Sequence, residues 1–149
     1  MQPIPTDPLA QRVLLNGLKG VGPVTVRRLR EAFGGELSVA LGAPAEQLAK
    51  VEGISRPVAA AIAARAFDWA AEMGRVRDLG FRLLSETDDA WPTTLARLWD
   101  PPLVLYAEGE YFPTERAVGI IERMGARVLD PAAVRSKLGL VKRAPVARA

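Results

Sequence analysis

Two glycine-containing turns, 33 residues apart, are the part of this sequence best suited to bind a ligand. The first is Gly20-Val21-Gly22, the second is Gly53-Ile54-Ser55, and a run that predicts a helix follows each of them. Such a turn exposes backbone N–H groups at the start of the following helix, where the positive end of the helix dipole also lies. Both features favour a phosphate oxygen. Because this contact does not involve the bases, the repeat predicts sequence-independent binding of a nucleic-acid backbone.

The predicted contacts combine amides of the turns with basic side chains close to them in the sequence. The second turn is the weaker candidate, because Ser55 replaces the second glycine and Glu52 beside it would repel a phosphate. It therefore stays open whether the second turn binds or serves structure alone, and a hairpin used only for packing or protein contact is the alternative for both. The candidate binding residues are Lys19, Gly20, Val21, Gly22, Val24, Arg27 and Arg28 at the first turn, and Lys50, Gly53, Ser55 and Arg56 at the second.

Residue types on which many enzymes depend are missing from the sequence. The 149 residues include no cysteine and no histidine, which excludes disulfides, thiolate metal sites and a Ser-His-Asp triad. Asp68 follows Gly53 by 15 residues, a placement similar to the aspartate of helix–hairpin–helix glycosylases, but it has no evident lysine or histidine partner. We therefore expect a protein without catalysis, metal or cofactor.

Charge is distributed unevenly along the chain, whose net charge is +3. Residues 1–75 carry 9 basic and 7 acidic side chains, residues 76–115 carry 3 and 8, and residues 116–149 carry 8 and 2. This pattern argues against one uniform nucleic-acid surface. No apolar run approaches the length of a membrane span, and the N-terminus shows no targeting signal. We expect a cytoplasmic protein with no membrane partner.

The predicted elements place both turns in a helical bundle. From Gly80 onward the pattern changes, and short apolar runs predict strands that usually belong to an α/β sheet. The sequence is therefore expected to be mainly α, with a five-helix bundle followed by a small α/β segment. Helices are predicted over about 8–15, 23–33, 38–41, 44–50 and 56–78, strands over 81–84, 103–107 and 117–121, and a short helix after Trp91.

Three strings of residues in the middle of the chain follow a distinctive order. They are Gly80-Phe81-Arg82-Leu83-Leu84, then Trp91-Pro92-x-x-Leu95, then Asp100-Pro101-Pro102-Leu103-Val104-Leu105-Tyr106 with Gly109. Together they resemble the segment before the Rossmann-type domain of the DNA-processing protein A (DprA/Smf) family. A helix–hairpin–helix or sterile-alpha-motif (SAM-like) domain commonly precedes that segment. The resemblance implies a protein that binds incoming single-stranded DNA in natural transformation and helps load a RecA-type recombinase.

The sequence departs from this family after the run 117–121, which matches the family's first Rossmann strand. Glu122-Arg123-Met124 follows where the family has a Gly-Ser/Thr-Arg turn. We therefore divide the chain into a helix–hairpin–helix (SAM-like) domain at 1–76, the start of a DprA-type α/β region at 77–121, and a divergent basic tail at 122–149. We expect an incomplete Rossmann-type segment and a DNA-binding accessory protein reduced in function by this loss. A helical protein-interaction module without nucleic-acid binding is the alternative.

Overall fold

The described chain is mainly helical, with a small antiparallel sheet after the helices. The computed structural model describes residues 1–109 and the backbone of a short strand at 127–129. Residues 1–70 form one compact unit, and the described part of a second unit begins at Ala71, inside a helix. The elements in chain order are α1 (Pro8–Gly17), α2 (Pro23–Ala32), α3 (Leu37–Gly42), α4 (Ala45–Leu48), α5 (Arg56–Ala63), α6 (Trp69–Asp78), β1 (Phe81–Leu84), α7 (Thr93–Ala96), β2 (Leu105–Glu108) and β3 (Arg127–Leu129).

Local sequence signals fix the ends of the first two helices. The Asp7 side chain caps α1 by accepting a hydrogen bond of 2.9 Å from the Ala10 amide, and Pro8 occupies the first helical position. Helix α2 ends at Ala32, and Gly34 and Gly35 follow with φ of +69° and +93°. These left-handed residues stop a helix at little cost when they are glycines.

Short helices of the first unit bury their apolar faces in a common core. Each of the helices α1 to α5 contributes at least one side chain with no solvent exposure. Since none of these helices exceeds ten residues, packing rather than helix propensity must stabilise them. The fully buried apolar residues are Val13, Leu14, Leu15, Leu29, Leu41, Leu48, Ala59 and Ile62.

The prediction of a single long helix over 56–78 is wrong. Two helices, α5 and α6, occupy this stretch, and residues 64–68 between them are not helical. Arg65 has a φ of +46°, a left-handed conformation that is unusual outside glycine. Its guanidinium donates hydrogen bonds to the backbone carbonyls of Gln2 and Leu41. These contacts with distant segments fix Arg65 in a conformation that a continuous helix does not allow.

The second unit contains the three strands, which pair in the order β1-β2-β3. Both pairings are antiparallel, with Leu84 opposite Leu105 in the first and Tyr106 opposite Leu129 in the second. The described strands therefore lack the parallel pairing of a Rossmann-type segment. The strand predicted over 117–121 lies outside the described residues, as does the basic tail except for the backbone of β3. Within the described chain, no helix has the length and apolar character needed to cross a membrane.

A small apolar cluster and a buried polar pair stabilise this second unit. Leu84, Trp91, Leu105 and Ala107 form the cluster. The Tyr106 hydroxyl is also buried and donates a hydrogen bond to the carboxylate of Glu72, on α6. Buried polar groups of this kind need a partner to offset the loss of hydration.

Candidate nucleic-acid interface

In the structure, the two turns have equivalent backbone conformations and hydrogen bonds. The first glycine of each turn is left-handed, with a φ of +83° at Gly20 and +77° at Gly53. A side chain would be strained at both positions, which explains the glycines there. Equivalent backbone hydrogen bonds also build each turn: Leu18 N to Leu15 O (3.1 Å) and Val21 N to Leu18 O (3.3 Å) in the first, Val51 N to Leu48 O (3.1 Å) and Ile54 N to Val51 O (3.1 Å) in the second.

The residue after each glycine anchors its turn in the core. Val21 is 4% exposed and Ile54 is 6% exposed, so both side chains face the protein interior. Val21 can therefore contribute to ligand binding only through its backbone. Gly20 and Gly53, in contrast, are exposed, so the outer surface of each turn is open to solvent.

Each turn leads into a helix whose first amides have no side-chain cap. Gly22 precedes α2 and Ser55 precedes α5, and neither makes a side-chain capping hydrogen bond. The first backbone hydrogen bond of α2 runs from Val26 N–H to the carbonyl oxygen of Gly22, at 3.0 Å. Since Pro23 has no N–H, the amides of Val24 and Thr25 are the donors that α2 leaves for an external acceptor. Thr25 is not among the candidates that the sequence indicates.

Position 22, by contrast, does not require a glycine. Its φ of −141° is an ordinary extended value, and a Cβ atom built on it would meet nothing within 4 Å. The left-handed residue of this turn is Gly20 and not Gly22. Open space beside Gly22 also means that a ligand can approach the start of α2.

Most of the predicted basic side chains have no intramolecular partner in the described structure. Within residues 1–109, the side chains of Lys19, Arg28, Lys50 and Arg56 make no hydrogen bond or ion pair, whereas Arg27 interacts with another part of the chain. Lys19, Lys50 and Arg56 are exposed, and Arg28 is half-buried. Their positive charges are therefore available to a ligand.

Three of these cations lie close to the second turn. Lys50 lines two grooves: one of about 580 Å³ that Arg28 and Glu52 also line, and one of about 490 Å³ that Arg56 also lines. Lys19 and Arg27 line neither of them. The sequence favoured the first turn, but the structure places more basic side chains around the second.

The two repeats also contact each other's turns. A Cβ atom on Gly53 would overlap the guanidinium of Arg28, which belongs to α2 of the first repeat. A Cβ atom on Gly20 would lie 2.9 Å from Cγ2 of Val58, which belongs to α5 of the second repeat. Nothing in the sequence spacing indicates either contact. Each turn is thus supported by the helix that follows the other.

Acidic side chains line the same grooves and oppose an anionic ligand. Glu31 and Glu52 line the groove beside Arg28, and Glu46 lines the groove beside Arg56. They lower the positive potential of the surface around the cations. Across the residues that the structure describes, no group of three or more acidic side chains is placed to hold a metal ion.

Comparison with known proteins does not place the chain in a family. No protein-family model matches it, and no solved structure matches it. The functional interpretation therefore depends on the geometry of the two turns and on the residues around them.

Proposed function

We propose that this chain is a DNA-binding accessory protein of the natural transformation or recombination type, which holds the DNA backbone without catalysis. The observation that carries this proposal is the pair of equivalent turns, each with a left-handed glycine and an uncapped helix start. On this interpretation the turns are helix–hairpin–helix motifs of a SAM-like bundle. Amides at a helix start bind phosphate oxygens irrespective of the base sequence.

Resemblance to the DprA family supports the choice of DNA as the partner, in the cytoplasm. The string over 80–109 that carries it forms β1, α7 and β2. A role in protecting single-stranded DNA and loading a RecA-type recombinase follows from this resemblance as a proposal. Because Glu122-Arg123-Met124 stands where the family has its Gly-Ser/Thr-Arg turn, we propose that the hairpins carry the binding and that recombinase loading is reduced.

Salt dependence of binding to labelled poly-dT tests this function. Three or four neutralised phosphates on a single strand give a slope of log affinity against log salt of roughly −2 to −3. We therefore expect the affinity of the full chain to fall roughly 15- to 60-fold between about 50 mM and about 200 mM salt. Random single- and double-stranded oligonucleotides of different sequence should show the same trend. A chain that does not bind any of them at low salt would contradict the proposal.

An interaction with another protein is the second candidate function, and one observation favours it. Leu98 and Trp99 are neighbours in sequence, and they are 51% and 82% exposed. Exposed large apolar side chains that lie together often mark protein contacts. The same titration separates the two candidates, because a pure protein-interaction module would not bind the oligonucleotides.

Glu52→Gln is expected to strengthen DNA binding. Glu52 is exposed, lies beside the second turn and repels a phosphate there. Removal of this charge should raise the affinity for poly-dT about two- to threefold at low salt, and the gain should shrink as salt screens the charges. Glu36→Gln is the matched control, since Glu36 is exposed but lines neither groove. Equal gains in both variants would show that only net charge matters.

A further inference from the structure

We propose that Arg28 of the first repeat and Lys50 and Arg56 of the second form one composite phosphate site over the second turn. This inference depends on the proposed function and deepens it, because it assigns a particular phosphate contact to residues of both repeats. It also reverses the order that the sequence suggests, in which the second turn is the weaker binder. Neither repeat could build this site alone.

The position of Arg28 is the first step of the argument. Its guanidinium lies directly against Gly53, in the place that a side chain at Gly53 would occupy. Arg28 is half-buried, yet its guanidinium makes no hydrogen bond or ion pair within the described chain. A guanidinium carries five N–H donors in a planar fork that matches a phosphate. The Arg28 guanidinium is therefore held at the turn, and no acceptor of the described chain uses its N–H donors.

The other two cations flank the same turn in the sequence. Lys50 comes three residues before Gly53 and lines one groove with Arg28. Arg56 is the first residue of α5 and lines the adjoining groove with Lys50. Ser55 does not cap α5, so the first amides of this helix have no side-chain acceptor and can donate to an external one. Side-chain charge and backbone donors are thus both found next to the second turn.

Acidic neighbours do not neutralise this cluster. Glu31, Glu46 and Glu52 line the two grooves, but the described structure contains no ion pair between them and the three cations. The acids reduce the local potential, while the cations keep their hydrogen-bonding capacity. A phosphate that receives several charge-assisted hydrogen bonds can still bind under these conditions.

Arg28→Gln in the full chain is the decisive variant, with Arg30→Gln as its control on the same helix. We expect Arg28→Gln to weaken binding of poly-dT about five- to tenfold at low salt. The slope of log affinity against log salt should also become smaller in magnitude by about 0.7, which is the contribution of one phosphate of a single strand. Arg30 is exposed and lines neither groove, so Arg30→Gln should stay within about twofold of the unmodified chain. Arg28→Lys should keep the slope, because it keeps the charge, and lose only part of the affinity.

A second measurement uses inorganic phosphate as the probe and separates this inference from the proposed function. The amide resonances of Gly53 and Ser55 should shift on titration with phosphate in the unmodified chain and in Arg28→Lys, but not in Arg28→Gln. If the chain binds DNA and Arg28→Gln behaves as Arg30→Gln does, the composite site is rejected and the function stands. If DNA does not bind while the shifts depend on Arg28, the site stands and the function is rejected. If neither response occurs, both are rejected.

Discussion

Gly17→Ala is expected to lower the free energy of unfolding by about 2 kcal/mol, the usual cost of overpacking a well-packed site. Gly17 is buried at the end of α1, and a Cβ atom on it would overlap three atoms of the Phe67 ring. The ring must therefore leave its position or α1 must shift. Denaturant unfolding, followed by circular dichroism, measures the loss.

Gly42→Ala is the matched control for this substitution. Gly42 is the last residue of α3, as Gly17 is of α1, but a Cβ atom on it would lie 3.5 Å from Ile4, an ordinary contact. Alanine should leave stability unchanged or raise it by about 0.5 kcal/mol, because it reduces the entropy of the unfolded chain. A comparable loss in both variants would mean that helix-end glycines matter for their backbone alone.

A double-mutant cycle with Phe67→Ala identifies the cause of the Gly17 effect. Removal of the ring is itself destabilising, but it also removes the atoms with which the new Cβ atom collides. In the Phe67→Ala background, Gly17→Ala should therefore cost almost nothing. Additive losses would contradict the proposed collision, since residues in contact are the ones expected to show coupling.

Helix ends were predictable where their signals are local. Asp7 and Pro8 begin α1, and Gly34 and Gly35 follow α2, because capping and left-handed conformations depend on residues within one turn. The break between α5 and α6 has no such signal. Arg65 is fixed by the carbonyls of Gln2 and Leu41, which are 63 and 24 positions away from it in the sequence. The periodicity of apolar residues does not reveal such distant contacts.

Strand positions were also easier to predict than strand pairing. The predicted run 81–84 coincides with β1, and the run 103–107 overlaps β2, but a short apolar run fits a parallel and an antiparallel neighbour equally well. The same limit applies to the candidate site. Spacing reveals the two turns, whose geometry is local, whereas the contact between Arg28 and Gly53 joins two repeats and depends on how the helices pack.

Gly22→Glu is expected to weaken DNA binding about tenfold at low salt while the chain stays folded. The new carboxylate stands where a phosphate would approach α2, and two like charges a few ångströms apart repel by about 1 kcal/mol or more, depending on solvent access. The backbone tolerates the change, because Gly22 is extended and has open space beside it. Titration of labelled poly-dT measures the loss of affinity.

Stability and affinity should move in opposite directions in this variant, which distinguishes it from a damaged fold. A carboxylate at the start of α2 interacts favourably with the helix dipole and with the amides of Val24 and Thr25, so the melting temperature should be equal to or above that of Gly22→Ala. Gly22→Ala adds a Cβ atom without charge and should bind poly-dT within about twofold of the unmodified chain. If Gly22→Glu is folded and binds as tightly as Gly22→Ala, no phosphate lies at the start of α2. The binding would then have to be assigned to the second turn, where Arg28, Lys50 and Arg56 supply the charge.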